Sequence, residues 1–158
     1  MIINKSLAAA LVALGLTVGL HGAVSAAAPH GPDGHAMEMY LDNGRKWQTD
    51  EALRTGMGRI RDAVDAARPM IHAGGYGAAE FSALADRIQE QVDDVVTNCK
   101  LPEQADVQLH LALAQVMDGI YVMKWEAGRE QGALAIVQAL DAYGEHFDHP
   151  GWKPLGHR

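Results

Sequence analysis

The stretch DEALRTGMGRIRDAV, residues 50 to 64, has an apolar spacing that later segments repeat, and this spacing decides the predicted fold. Thr49 or Asp50 is a good N-cap, and Glu51 is an acidic residue in the first turn, so a helix is predicted to begin here. Its apolar positions recur every three or four residues, at Leu53, Met57, Ile60, Val64 and Ala67. This period is typical of an α-helix that turns one face toward a core.

Three more helices are predicted downstream of this one. Pro69 kinks or ends the first helix, and the glycine-rich segment at residues 73 to 77 stops it. The remaining helices cover about residues 78 to 99, 103 to 126 and 130 to 147, with breaks at Pro102 and Gly128. Four such helices with short connections predict an all-α, antiparallel up-down-up-down four-helix bundle over residues 49 to 150. Residues 151 to 158 are then a C-terminal tail.

The apolar positions of the last three helices define their predicted buried faces. On the second helix they are Phe81, Leu84, Ile88, Val92, Val95 and Cys99. On the third they are Val107, His110, Leu113, Ala114, Met117, Ile120 and Tyr121. On the fourth they are Leu134, Val137, Leu140, Tyr143 and Phe147.

The N-terminal region has the pattern of an export signal. Residues 7 to 20 are mostly Ala, Leu, Val and Gly, and Val24-Ser25-Ala26 resembles a cleavage site, which predicts a signal peptide over residues 1 to 26. Residues 27 to 48 are predicted to form a flexible arm that carries His30, His35, Met37 and Met39. We therefore expect a periplasmic or secreted protein, with no membrane attachment after signal cleavage.

Charge and motifs exclude several classes of function. The net charge of −7 and the lack of a basic cluster argue against nucleic acid and against an anionic membrane surface. No Ser-His-Asp order, glycine-rich phosphate loop or paired Glu-x-x-His motif appears, so a non-catalytic protein is expected.

The bundle topology brings four ligand-type side chains to one end. Met57 lies early in the first helix, Cys99 ends the second, His110 lies early in the third and His146 lies late in the fourth. His149 follows His146 at a spacing that lets both imidazoles share a face, and Trp47 and Trp152 flank the same end by topology. Each of these residues also has a plain structural role, as core, small hydrophobe, helix-end cation or cap.

A thiolate, a thioether and two imidazoles form a soft ligand set that favours copper, with zinc next. The first hypothesis is therefore a copper-binding bundle for electron transfer, storage or sensing, with Cys99, His110 and His146 as ligands, Met57 as a weaker one and His149 as an optional one. A redox or carrier protein would be its partner.

The layout also resembles the small periplasmic four-helix-bundle cytochrome b family. The segment DEALRTGMGRIRDAV places Met57, and the segment ALDAYGEHFDHP places His146, where that family holds haem. The resemblance implies non-covalent haem b with these two axial ligands, for electron transfer or haem carriage, and small residues supply room for it: Gly56, Gly58, Ala142 and Gly144. The chain departs from that family at Cys99 and His110. A cofactor-free structural or interaction module is the third hypothesis.

Overall fold

The computed structural model describes residues 38 to 156, which form four α-helices and two very short strands. The elements are β1 (Trp47–Gln48), α1 (Glu51–His72), α2 (Ala78–Asn98), α3 (Glu103–Trp125), α4 (Arg129–His146) and β2 (Phe147–Asp148). The predicted all-α class is confirmed. The signal peptide and the arm residues His30, His35 and Met37 lie outside the described residues.

Helix α1 begins as its sequence predicts. The carboxylate of Asp50 accepts a hydrogen bond of 2.7 Å from the backbone N–H of Leu53, which satisfies one free donor of the first turn. Pro69 does not end the helix, because it lies in the last turn and the helix continues to His72. The chain then leaves the helix through Gly74, whose φ of 68° suits glycine.

The stripes predicted for α1 and α2 are the faces that enter the core. Buried on α1 are Leu53, Met57, Ile60, Val64 and Ala67, and buried on α2 are Phe81, Leu84, Ile88, Val92 and Val95. The two helices approach closely at Gly56, where an added Cβ would lie 2.2 Å from a methyl of Val95. Glycine at this position therefore permits the packing distance.

Helices α3 and α4 are held together by a second close approach, between Gly119 and Gly132. A Cβ on Gly119 would lie 2.7 Å from the carbonyl oxygen of Gly132, and a Cβ on Gly132 would lie equally close to the carbonyl of Gly119. The two backbones are thus nearly in contact, so side chains larger than hydrogen do not fit here.

The predicted buried face of α3 is wrong over most of its length. Leu113 and Ile120 are buried, whereas five other predicted core residues are exposed: Val107, His110, Ala114, Met117 and Tyr121. The core is instead filled by Ala105, Gln108, Leu109, Ala112, Val116, Gly119 and Met123. Helix α3 is apolar on two sides, so periodicity alone did not identify the side that packs. Leu134 of α4 is likewise exposed, in contrast to its predicted burial.

The residues before α1 are packed onto the helices. Met39 and Trp47 are buried, the backbone N–H of Tyr40 donates to the Gln108 side chain at 2.9 Å, and the Trp47 indole donates to the Tyr40 carbonyl at 2.6 Å. The prediction of a flexible arm is therefore wrong for Met39 to Gln48. We call residues 39 to 48 the N-terminal strap.

The strap joins the end of α4 through a short parallel pair. Trp47 pairs with Phe147, and Gln48 pairs with Asp148. The ammonium of Lys46 donates to the Gly144 carbonyl at 2.6 Å. The pair therefore fixes the beginning of α1 beside the end of α4.

The segment after β2 also packs against the helices. Leu155 is buried, its N–H donates to the Asp141 carboxylate at 3.1 Å, and its carbonyl accepts a 2.7 Å hydrogen bond from Arg68. Among residues 38 to 156, no helix has the length and apolar character needed to cross a membrane.

Candidate functional site

The beginning of α1 and the end of α2 meet at one carboxylate. One oxygen of Asp50 caps α1, and the other accepts a 2.6 Å hydrogen bond from the N–H of Lys100, just after α2. The strand pair brings the end of α4 to the same place. Cys99, which terminates α2, therefore lies where three helix ends converge.

Cys99 is half-buried, and its thiol interacts with the Asp50 carboxylate. Burial raises the pKa of this thiol to about 12, with further contributions from the negative charges of Asp50 and Asp106 and from the hydrogen bond to Asp50. The thiol therefore stays protonated at neutral pH and acts as a hydrogen-bond donor. It is the single cysteine of the chain.

Asp50 remains ionised beside this thiol. Burial alone raises the pKa of Asp50, but hydrogen bonds from the N–H groups of Leu53 and Lys100, the Cys99 thiol and the Arg54 charge together hold it below its ordinary value. Arg54 is itself anchored by a 2.6 Å hydrogen bond to the Thr49 carbonyl. The carboxylate is thus a fixed negative charge against the sulfur.

On the α4 side of this end, Tyr143 is fully buried and its hydroxyl lies 3.0 Å from Nδ1 of His149. Burial raises the pKa of Tyr143, and the Arg54 charge only partly opposes this rise. Burial lowers the pKa of His149, and the Arg54 charge lowers it further. The ring of Trp152 packs edge-on against Tyr143, with centroids 4.9 Å apart. Tyr143 and His149 therefore form a neutral, aromatic-walled pair.

His110 does not enter the core. Its side chain is 63% exposed, and Nδ1 lies 2.9 Å from the carbonyl oxygen and 3.4 Å from the carboxylate of Asp106, on its own helix. Its predicted burial is wrong, because the preceding helical turn holds the ring against α3's outer surface. Asp106 nevertheless connects the two regions, since its charge acts on Cys99 while its side chain is paired with His110.

Met57 and His146 lie on the predicted helices but in separate surroundings. Met57 is completely buried in the core, whereas His146 is half-buried with Nδ1 2.8 Å from the Ala142 carbonyl. The space beside two of the small residues that the haem hypothesis uses is already filled by neighbouring side chains. A Cβ on Gly56 would strike Val95, and one on Gly144 would lie 2.3 Å from the Trp152 indole nitrogen.

The metal hypothesis is tested by the donor geometry. Within residues 38 to 156, no group of three or more His, Cys, Asp or Glu side chains is arranged to hold a metal ion. What the structure brings together is Cys99 with Asp50 and Asp106, and Tyr143 with His149. A metal centre at this end would therefore form by side-chain movement upon binding.

Sequence reasoning did not identify Asp50, Asp106 or Tyr143 as parts of this site. Asp50 was recognised as a helix cap and Tyr143 as a core residue, and both roles are correct. Their second role depends on contacts with Cys99 and His149, which are far from them in sequence. The one sequence signal was the position of Asp50 and Tyr143 at the end where the ligand candidates were expected.

A separate cavity of about 500 Å³ lies toward the other end, between α1 and α4. Its walls include the apolar Val64, Leu134 and Val137 together with Arg68 and His72. None of the predicted ligands lines it. Neither a family model, nor a curated protein, nor a solved structure matches this chain.

Proposed function

We propose that this chain is an exported, non-catalytic metal-binding protein that captures a soft transition-metal ion, copper first, around Cys99. Export is proposed from the signal peptide predicted over residues 1 to 26, and the proposed arrangement of the helices is the antiparallel up-down-up-down bundle. The observation that supports metal capture is that the charges of both Asp50 and Asp106 act on the thiol. Such a protein would serve electron transfer, storage or sensing.

Burial is the main reason that the thiol stays protonated, but the negative charges that add to this effect also favour a cation. Two nearby carboxylates create a negative potential at the sulfur, so they disfavour a free thiolate and stabilise a positive ion that replaces its proton. Copper prefers thiolate, thioether and imidazole donors. Binding releases the thiol proton, so the affinity is expected to rise with pH.

Two imidazoles, those of His149 and His110, complete the proposed ligand set. His149 would bind through Nε2 while its Nδ1–H donates to the Tyr143 oxygen, the arrangement that orients many metal-ligating histidines. His110 would reach the metal from the Asp106 side by rotating away from its own helix. His146, which the sequence-based hypothesis used as a main ligand, and Met57 would be supplementary ligands.

Copper(I) binding measured against a coloured chelator tests the proposal on the chain that begins at Ala27. We expect one copper ion per chain, loss of binding in Cys99→Ser, and at least roughly tenfold weaker binding in His149→Gln. His72→Gln, at the far end of α1, is the matched control and should bind like the unsubstituted protein. Equal affinity in Cys99→Ser would reject the proposal.

The visible spectrum of the same samples separates the alternative hypotheses. A Soret band that survives Cys99→Ser would favour haem b, with Met57 and His146 as axial ligands. If neither haem nor stoichiometric metal binds in reducing or oxidising buffer, the cofactor-free structural or interaction module is the better description.

A further inference from the structure

Helix α3 carries a mostly apolar stripe on the side away from the core, in which His110 is the polar side chain. We call it the outer stripe; it consists of Val107, His110, Ala114, Met117, Tyr121 and Trp125. The first five are separated by three, four, three and four residues, which is the spacing of helices that pair along their length. Val107 is 50%, Met117 49%, Tyr121 57% and Trp125 70% exposed.

The outer stripe is a second hydrophobic face and not an edge of the core. Counted at 3.6 residues per turn, its centre lies nearly opposite the buried side that holds Leu109, Ala112 and Val116. A helix that packs on one side only is expected to be polar on the other. A contiguous apolar surface of this kind marks a binding surface in a soluble protein.

We propose that the outer stripe is the interface of a homodimer, in which α3 of one copy packs antiparallel against α3 of a second copy. The inference goes beyond metal binding and does not rest on it. An interface between identical copies about a two-fold axis requires a self-complementary surface, and a single helix stripe with a small residue near its middle provides one. Ala114 is that residue.

Charge determines the antiparallel orientation. The first turns of α3 contain Glu103 and Asp106, whereas Lys124 lies in its last turn. A parallel pair would place the acidic turns of both copies side by side, in a protein whose net charge is already −7. An antiparallel pair separates the acidic turns of the two copies and also opposes the two helix dipoles, while Lys124 remains paired with Asp86 of its own copy.

The spacing defines a register. With the two-fold axis between Ala114 and Met117, each Ala114 packs against the Met117 of the other copy. His110 then lies against Tyr121, and Val107 against the aliphatic part of Lys124. Large side chains thus face small or flat ones, as interdigitating helices require.

The exposed area is sufficient for such a dimer. Tyr and Trp side chains bury about 150 to 250 Å² each, so the exposed fractions of Tyr121 and Trp125 supply roughly 200 to 300 Å² per copy. Together with the other stripe residues, two copies approach the lower limit of about 1,200 Å² for specific, stable protein interfaces. We therefore expect reversible association in the micromolar range and not a permanent dimer.

Light scattering coupled to gel filtration tests the proposal on the chain that begins at Ala27. Twice the monomer mass is expected at about 100 µM, with dissociation on dilution and a red shift of Trp125 fluorescence. Met117→Glu should weaken dimerisation at least tenfold with an unchanged circular dichroism spectrum. Met70→Glu is the matched control, because Met70 is a similarly exposed methionine on α1, and this variant should remain dimeric.

Cross-linking tests the orientation in a Cys99→Ser background with a short bis-maleimide. Val107→Cys and Lys124→Cys proteins should cross-link when mixed, whereas each alone should not, because the identical positions lie roughly 25 Å apart along the axis of an antiparallel pair. Cross-linking of each protein alone would overturn the antiparallel register.

Two results would overturn the dimer itself. One is that the chain that begins at Ala27 stays monomeric throughout this concentration range. This includes the case in which a chain shortened to begin at Glu38 does dimerise, because residues 27 to 37 would then be what covers the stripe. The other is a dimer that Met117→Glu leaves as tight as Met70→Glu does.

Discussion

His149 shows at the scale of one residue that a helical spacing does not apply beyond the end of the helix. Its distance of three residues from His146 predicted two imidazoles on one face, available to a metal. In the structure α4 ends at His146, the chain extends through β2, and His149 turns back onto Tyr143. The sequence could not reveal this pairing, because it depends on where the chain runs after the helix.

The lowered pKa of His149 predicts a specific pH dependence of stability. Burial and then the Arg54 charge disfavour the imidazolium, so between its folded pKa and the ordinary value near 6.5 the unfolded chain binds more protons than the folded one. The contribution of His149 is therefore complete above about pH 6.5 and is lost as the pH falls through that value toward the folded pKa.

His149→Gln is expected to flatten this dependence, since glutamine keeps a hydrogen-bonding group near Tyr143 but does not titrate. Urea unfolding at pH 7.5 and 5.5 should show a larger fall in the free energy of unfolding for the unsubstituted protein than for the variant. Parallel falls in the two proteins would contradict the assignment, as would an NMR titration that places the pKa of His149 above 6.5.

At the scale of one element, α3 shows what periodicity can and cannot determine. The pattern correctly predicted a helix and its approximate ends. It did not choose between two apolar sides, because the exposed stripe through Met117 and Tyr121 has as regular a spacing as the side that packs. The deciding feature is Gly119, which permits close contact with α4 and thereby fixes the rotation of α3. Glycine inside the predicted helix was the available signal.

Gly119→Ala tests this role of the glycine contact. The new methyl would lie within 2.7 Å of the Gly132 carbonyl, and backbone atoms yield little, so we expect a loss of roughly 1 to 3 kcal/mol in the free energy of unfolding. Gly58→Ala is the matched control, because its Cβ meets nothing within 4 Å inside α1, and it should stabilise the protein by about 0.5 to 1 kcal/mol. Chemical denaturation compares them, and a stable Gly119→Ala protein would refute the contact.

At the scale of the whole molecule, the helices could be predicted from the sequence. The packing of the N-terminal strap over one end of them could not. Capping residues, breaks and periods are local signals, so α1, α2 and α4 were located from sequence alone. The N-terminal strap has no period and is rich in polar residues, which led to its interpretation as flexible. Its order comes from tertiary contacts: Met39 and Trp47 fill space at the end of the core, and Tyr40 is bonded to Gln108, 68 residues away.

Shortening the chain tests whether the strap is part of the folded core. A chain that begins at Thr49 keeps the Asp50 cap but loses the buried side chains of Met39 and Trp47, which stabilise by roughly 3 to 6 kcal/mol together. Because each kcal/mol corresponds to about 4 °C for a folded unit of this size, thermal melting should fall by more than about 10 °C. A chain that begins at Glu38 is the control and should melt like the chain that begins at Ala27. Equal melting of both shortened chains would show that the strap contributes no stability, and the closed end of the helices would then depend on Phe147, Tyr143 and Trp152 alone.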